Sequence, residues 1–353
     1  MEKCIDAIKL AIIGAGAIAE EGYLPAARSV SNAVVTHIAD LDMERAGRVA
    51  ERWNIPEYVR EYSEIFGKVD AVVVATPADS HARISIDCLN HGLHVLCEKP
   101  LATSVEEAEQ MVETGRRTHT HLAVGMVRRL SWSACLLKKL VATGVLGHIS
   151  KFDIEEGWEF NWPLRTGHIF QGKKFGGVVS DTGPHLFDLI LWILDGQNAQ
   201  VLSCRDDNWG GIDANAVVEM SVATSSQRIN GRIEISFTRK LRNTLKIYGE
   251  KGSIEADTVG AYEVRFFPLD WNEKPVVLKP SDPVRRNRYE GFTMQLSNFV
   301  HSIIGGLKQY VPADEVVKSI AVIEACGRGR KIMVQPWEAK HLDSFFEGNK
   351  HGE

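Results

Sequence analysis

The sequence predicts an α/β protein: a doubly wound parallel sheet in its N-terminal part, followed by a second domain with a mainly antiparallel sheet. Three observations carry this. Apolar residues Ile8 to Ile13 run straight into Gly14-Ala-Gly16-Ala17-Ile18-Ala19, a strand, tight turn and helix in succession. Strand-like and helix-like patterns then alternate to about residue 125, which calls for a parallel sheet covered on both faces. From Ala199 to about Phe267 four to six strand-like runs follow one another with no helix between them, as in an antiparallel sheet.

Length and composition bound the reading. A chain of 353 residues exceeds one ordinary core, so two domains are expected: 1–126, then 127–334, with a peripheral tail over 335–353. Hydrophobic and charged fractions of 44% and 25% are those of a soluble globular protein. A net charge of -5, with no dense run of Lys or Arg, argues against a nucleic-acid partner. The longest apolar run, Leu189 to Leu194, is far short of the roughly 18 residues of a membrane span. Six scattered cysteines (Cys4, Cys88, Cys97, Cys135, Cys204, Cys326) form no C-x-x-C pair and read as reduced thiols. The first strand starts too early to leave room for a signal peptide, and a cytoplasmic location is the expectation.

In the opening motif Gly14 permits the tight turn, Gly16 lets a pyrophosphate approach the backbone, and Ala19 lets the helix pack closely on its strand. Ala17 and Ile18 open that helix, whose N-terminal N–H groups favour anions. The helix extends to Val30, with Pro25 expected to kink it. Strand Ala33 to Asp40 ends on an acid, where this Rossmann-type arrangement places a carboxylate against the adenosine ribose hydroxyls. Asp40 could instead cap the next helix, although Asp42 is better placed to do so. The acid favours NAD over NADP, and Arg45 keeps the choice open.

Helix 43–53, a helical turn at 62–66, strand 70–76, helix 79–91, strand 94–98, helix 104–118 and strand 121–125 complete the first domain. Ligands belong at the carboxyl ends of such strands, which here carry Thr76-Pro77 with His81, Glu98-Lys99-Pro100, and Gly125 through Arg128-Arg129. Beyond 127 the texture changes: helix 132–142, strand 148–156, an irregular aromatic stretch from Trp158 to Phe175, and a buried helix 184–194. Helices 289–304 and 314–331 close the second domain. His119 and His121 share one strand face by period 2, but no third ligand accompanies them, so no metal is expected.

Taken together, the glycine turn, Thr76-Pro77-x-x-x-His81, Glu98-Lys99-Pro100 and Asp181-x-Gly-x-His185 resemble the glucose-fructose oxidoreductase / inositol dehydrogenase / MocA family. The resemblance covers nearly the whole chain. It implies a large open C-terminal sheet that often forms the oligomer interface, hence a homodimer or homotetramer. A Lys-Pro bond that is often cis, a bound nicotinamide, and sugar or cyclic polyol substrates are implied too. Thr76, Pro77 and His81 match the loop over the cofactor, and Arg129 matches an arginine on the nicotinamide side, although Ser131 stands where a proline is often found. A sheet whose outer face carries Val and Ile would suggest pairing with another subunit.

The chemistry can be argued from the residues. Oxidising a secondary alcohol by hydride transfer leaves a hydroxyl proton for a base. His185 lies in the first turn of a helix opened by Pro184, where the helix dipole disfavours the protonated imidazole, though a capping or core histidine fits the same position. Asp181 could orient that imidazole, hold a substrate hydroxyl, or cap the helix. Lys99 would stabilise negative charge developing on the substrate oxygen, and Glu98 would pair with it or fix the nicotinamide ribose. Trp158, Asn161, Trp162, Arg165 and His168 line either a sugar site or the interdomain seam. The expected activity is an NAD-linked dehydrogenase or reductase. A redox-neutral enzyme that retains its NAD and a non-catalytic dinucleotide sensor are the alternatives.

Overall fold

The structure, a computed structural model, describes residues 7–160, 176–208, 212–259, 262–269, 274–281 and 290–333. Its first sheet holds β1 (Ile8–Ile13), β2 (Ala33–Ala39), β3 (Glu57–Val59), β4 (Ala71–Val74), β5 (His94–Cys97) and β6 (Leu122–Val124). All pairings are parallel and the order is β3-β2-β1-β4-β5-β6. Side chains of a strand alternate between faces, and here both faces are covered. Ala11 and Ile13 of β1 enter one apolar cluster with Val72 and Val74, while Leu10 and Ile12 enter another with Ala71 and Val73. The order reverses between β1 and β4, which opens a crevice at their carboxyl ends.

The helices of this half are α1 (Leu24–Ala27), α2 (Met43–Trp53), α3 (His81–Asn90) and α4 (Val105–Thr118). The helix expected over 17–30 runs from Ala17 to Ala27, with a π-helical stretch, Ala19–Tyr23, leading into α1. Pro25 follows directly on the π-helical stretch, and that wider turn stands where the kink was expected. Asp42, not Asp40, caps α2 by accepting from Arg45 N–H at 3.0 Å. His119 ends α4 in a left-handed conformation at φ 55°, so it is not on a strand face with His121.

The second sheet has nine strands: β7 (Ile149–Gly157), β8 (Asn198–Asp206), β9 (Asn215–Ala223), β10 (Arg228–Ser236), β11 (Thr244–Gly249), β12 (Gly252–Asp257), β13 (Val264–Pro268), β14 (Val276–Leu278) and β15 (Arg330–Ile332). Their order is β14-β13-β12-β11-β7-β10-β9-β8-β15. The sheet is mixed and mainly antiparallel, with β7–β10 and β8–β15 parallel. Its covered face meets α5 (Trp132–Ala142), the short α6 (Val178–Asp181), α7 (Gly183–Ile193) and α9 (Ala313–Gly329). The outer face is largely polar along its described residues, with Val217 and Val277 among the apolar side chains on it. It carries ion pairs, among them Arg242–Glu155 at 2.8 Å and Lys151–Asp153 at 3.0 Å.

One helix departs from its place in the chain order. Helix α8 (Glu290–Gly305) buries Leu296, Phe299 and Val300 in the cluster that also holds Ile12 and Tyr23, so it covers the first sheet rather than the second. The last helix is shorter than expected, because Arg330–Ile332 leaves it as the edge strand β15.

Candidate active site

Five strand ends of the first sheet supply one margin of the crevice. After β1, Gly14 adopts φ +101°, and a Cβ there would lie 2.6 Å from the Ala75 carbonyl oxygen. Only glycine tolerates both conditions. A Cβ built on Gly16 meets nothing within 4 Å, so its backbone faces open space. Such a cradle fits a pyrophosphate approaching the start of the helix at Ala17 and Ile18. Asp40, beyond β2, braces this turn: Oδ2 accepts from Ala15 N–H at 2.8 Å, and Oδ1 accepts from Asp42 N–H at 2.9 Å and from Arg45 at 3.1 Å. Each oxygen has two lone pairs, so the carboxylate keeps accepting capacity for ribose hydroxyls.

Beyond β4, Thr76 Oγ1 accepts from Ser80, and the 3₁₀ turn Ala78–Ser80 starts from Pro77. His81 lies beneath this loop, not over it. Its buried ring sits 2.8 Å from the carbonyl oxygens of both Thr76 and Pro100, tying the loop to the end of β5. Burial pushes its pKa down, against the two carbonyls that favour a protonated ring.

At the end of β5, Glu98 is buried; its Oε1 accepts from Tyr23 at 2.6 Å and its Oε2 from Lys99 N–H at 3.0 Å. Burial raises its pKa. The Lys99–Pro100 bond is cis. Lys99 Nζ leaves the first sheet altogether and donates to Asp181 of α6, at 2.7 Å to Oδ1 and 2.9 Å to the backbone carbonyl. Residues 82 apart in sequence thus meet in one ion pair, half shielded from solvent.

Asp181 does not cap α7; that position belongs to Thr182. Two residues into α7, Pro184 precedes His185, whose imidazole is half buried. Its Nδ1 is shielded from solvent and has no hydrogen-bond partner among the described residues. Burial, then Arg128, then Lys99 hold its pKa well below the ordinary value of 6.5. The ring is therefore neutral near pH 7, and Nδ1 is left without a partner among the described residues.

The twin arginines after β6 divide. Arg129 is not free to touch a cofactor: Nε and Nη2 donate to Asp188 at 2.7 and 2.6 Å, and Nη1 donates to Glu315 at 2.6 Å, with 3% of the side chain exposed. Arg128 is the arginine beside the site, paired with the fully buried Glu156. Trp158 follows β7, half buried, with its N–H on the Ser236 carbonyl at 3.2 Å. Asn161, Trp162, Arg165 and His168 lie outside the described residues. Sequence reasoning missed Tyr23 and Glu156, and of the two arginines it marked at the end of β6 it gave the cofactor role to Arg129 rather than Arg128. Tyr23 stands out in retrospect as the first aromatic after the glycine turn, and Glu156 as a charge at an inward position after Phe152 and Ile154.

Comparison with known proteins places this arrangement. The profile of the GFO/IDH/MocA oxidoreductases, NAD-binding Rossmann fold, matches residues 8–126, and that of the GFO/IDH/MocA C-terminal domain matches 136–255. The chain belongs to the GFO/IDH/MocA oxidoreductase family. It is 30% identical to an inositol 2-dehydrogenase of Rubrobacter xylanophilus over 245 residues, 67% of each chain. It is 28% identical to glucose-6-phosphate 3-dehydrogenase of Bacillus subtilis over 192 residues, 53% of this chain and 54% of the relative, so that match spans about half of either protein. An oxidoreductase from Agrobacterium radiobacter, solved in complex with NAD+, L-tartaric acid and magnesium, has the same fold: TM-score 0.78 at 20% identity, covering 92% of this chain and 97% of that one. This GFO/IDH/MocA member is an oxidoreductase of a sugar- and polyol-acting family.

Proposed function

We propose that this oxidoreductase oxidises a secondary alcohol of a sugar or cyclic polyol, or reduces the matching ketone, with NAD as its cofactor. The observation that carries the reading is the ion pair between Lys99, at the end of β5, and Asp181, four residues before the neutral His185, whose shielded Nδ1 has no partner among the described residues. The turn Gly14 to Ile18, Asp40, Thr76 and Pro77 would hold the dinucleotide; bound nicotinamide supplies the hydride acceptor. Asp40 favours NAD, because its negative charge opposes a 2′-phosphate and is only partly offset by Arg45.

In the oxidising direction His185 would take the proton from the hydroxyl oxygen while the hydride on the carbon bearing that hydroxyl passes to a bound nicotinamide. Lys99, paired with Asp181, would face the oxygen on which negative charge grows. Asp181 fixes the ammonium through two contacts and so orients it as well as balancing it. The names of the relatives support cyclic polyols and aldoses as the first substrates to try.

The test is turnover with a panel of cyclic polyols and aldoses, read as NADH absorbance. Lys99→Met and His185→Gln should each lose more than about a hundredfold in kcat while dinucleotide binding persists. Near wild-type turnover in either variant would reject that residue's role, and a strong preference for NADP would reject the reading of Asp40.

A further inference from the structure

Asp213 is a buried acid with no ion-pair partner among the described residues; Arg330 of β15 is taken instead by Asp206, at 2.8 Å. A buried carboxylate must be answered by hydrogen bonds, and these come from the start of α6. Asp213 Oδ2 accepts from Val179 N–H at 2.8 Å, and the Asp213 backbone carbonyl accepts from Val178 N–H at 2.8 Å. Those N–H groups have no acceptor within their own helix, so one residue 34 positions away satisfies both. Gly177, just before α6, lies at φ +86°, and a Cβ there would stand 2.4 Å from Asp213 Oδ1, so the acid packs directly on its backbone.

Asp213 is itself anchored to the second sheet. Its neighbour Ala214 donates to Asp207 Oδ1 at 2.8 Å and accepts from Phe237 N–H at 2.8 Å, which ties the approach to β9 to the exits of β8 and β10. From this anchor the backbone makes one turn: Asp181 N–H donates to the Gly177 carbonyl at 3.1 Å, and Thr182 N–H to the Val178 carbonyl at 3.0 Å. At the other end of the turn the Asp181 carbonyl and Oδ1 accept from Lys99 Nζ at 2.9 and 2.7 Å. A single turn of helix thus links the second sheet to the lysine of the first.

We propose that Asp213 is a positioning residue for the Lys99–Asp181 pair: through that turn it sets where the two acceptors of Asp181 meet the ammonium. The inference rests on reading Lys99 and Asp181 as the pair at the chemistry.

Burial of α6 does not need the acid. Val178 and Val179 already belong to the large apolar cluster, and non-directional contacts of that kind resist withdrawal of the turn from the core. They do not fix its rotation. A hydrogen bond does, because it weakens steeply away from linear geometry.

The test is acetylation of the full chain by limiting acetic anhydride, read lysine by lysine by mass spectrometry, which needs neither substrate nor dinucleotide. Asp213→Ala should raise Lys99 labelling about fivefold, the population shift expected when a capping acceptor is lost. Lys138 and Lys318, which donate to the Trp192 and Gly196 carbonyls at and beyond the far end of α7, should label as in the wild type. In an Asp181→Ala background, where Lys99 is already released, Asp213→Ala should add nothing. Asp213→Asn, whose amide oxygen accepts as the carboxylate does, should keep most of the protection. Gly177→Ala leaves the acid in place but drives a methyl against Oδ1, and should expose Lys99 by the same route if Asp213→Ala does not fold. Unchanged Lys99 labelling, an equal rise at Lys138 and Lys318, or an additive effect on Asp181→Ala would overturn the proposal. With any polyol or aldose that is turned over, kcat should fall as Lys99 becomes exposed while dinucleotide affinity holds. If labelling behaves as expected and kcat does not fall, it is the role of Lys99 in the chemistry that fails, and the hold of Asp213 on the pair stands.

Discussion

Arg129 keeps 3% of its side chain in contact with solvent and donates to carboxylates on two different helices, Asp188 of α7 and Glu315 of α9. Removing one partner of a buried pair strands the other's charge, which costs about 3–5 kcal/mol. Arg129→Met should lower unfolding stability by that amount in a denaturant titration, and a loss under about 1 kcal/mol would show the pair to be dispensable. Two adjacent arginines were plain in the sequence. Which of them faces the crevice was not, because neighbours in a 3₁₀ turn point to different sides and the turn's orientation depends on acids 59 and 186 residues away. Lys99, Asp181 and His185 drew notice for the opposite reason: Lys99 and His185 each adjoin a proline and Asp181 lies two residues before Gly183, signals of chain reversal.

At the scale of elements, the glycine turn separates two jobs that its sequence pattern runs together. Gly14→Ala would force a Cβ against the Ala75 carbonyl at positive φ, a strain of about 1–3 kcal/mol, and should reduce stability and dinucleotide affinity together. Gly16→Ala points its methyl into open space and should leave the melting temperature unchanged while weakening dinucleotide binding. Equal loss of stability in both variants would count against this division. The alternation of the first sheet was readable because each strand and helix follows locally from its own periodicity. The π turn at Ala19–Tyr23 and the parallel pairing of β7 with β10 were not, since the first is a ring-size choice made by packing and the second joins strands separated by α6, α7, β8 and β9. Strand β3 has three residues, too few to show any period.

For the molecule as a whole, five described histidines, His37, His81, His94, His121 and His185, are all held below their ordinary pKa of 6.5, chiefly by burial, His94 at about 4. The unfolded chain binds these protons more readily than the fold does. Stability from the neutral rings is therefore complete above about pH 6.5 and is lost as pH falls, for His94 down to about 4. Urea midpoints should fall on acidification through this window, and His94→Asn should flatten the slope; an unchanged slope would remove His94 from the account.

Helix α8 gives the chain a return journey. The layer begun by Ile12 and Tyr23 is closed by Leu296, Phe299 and Val300, with Phe292 edge-on to Tyr23 at 5.2 Å and Gln295 donating to the Val124 carbonyl. During synthesis the first sheet therefore emerges with an apolar flank bare and keeps it bare until the ribosome has made most of the protein. A fragment ending at residue 126 would carry the glycine turn and Asp40 and yet lack the lid over the helix that presents them. The dinucleotide crevice, encoded almost entirely in residues 8–126, waits for a helix that begins only at Glu290.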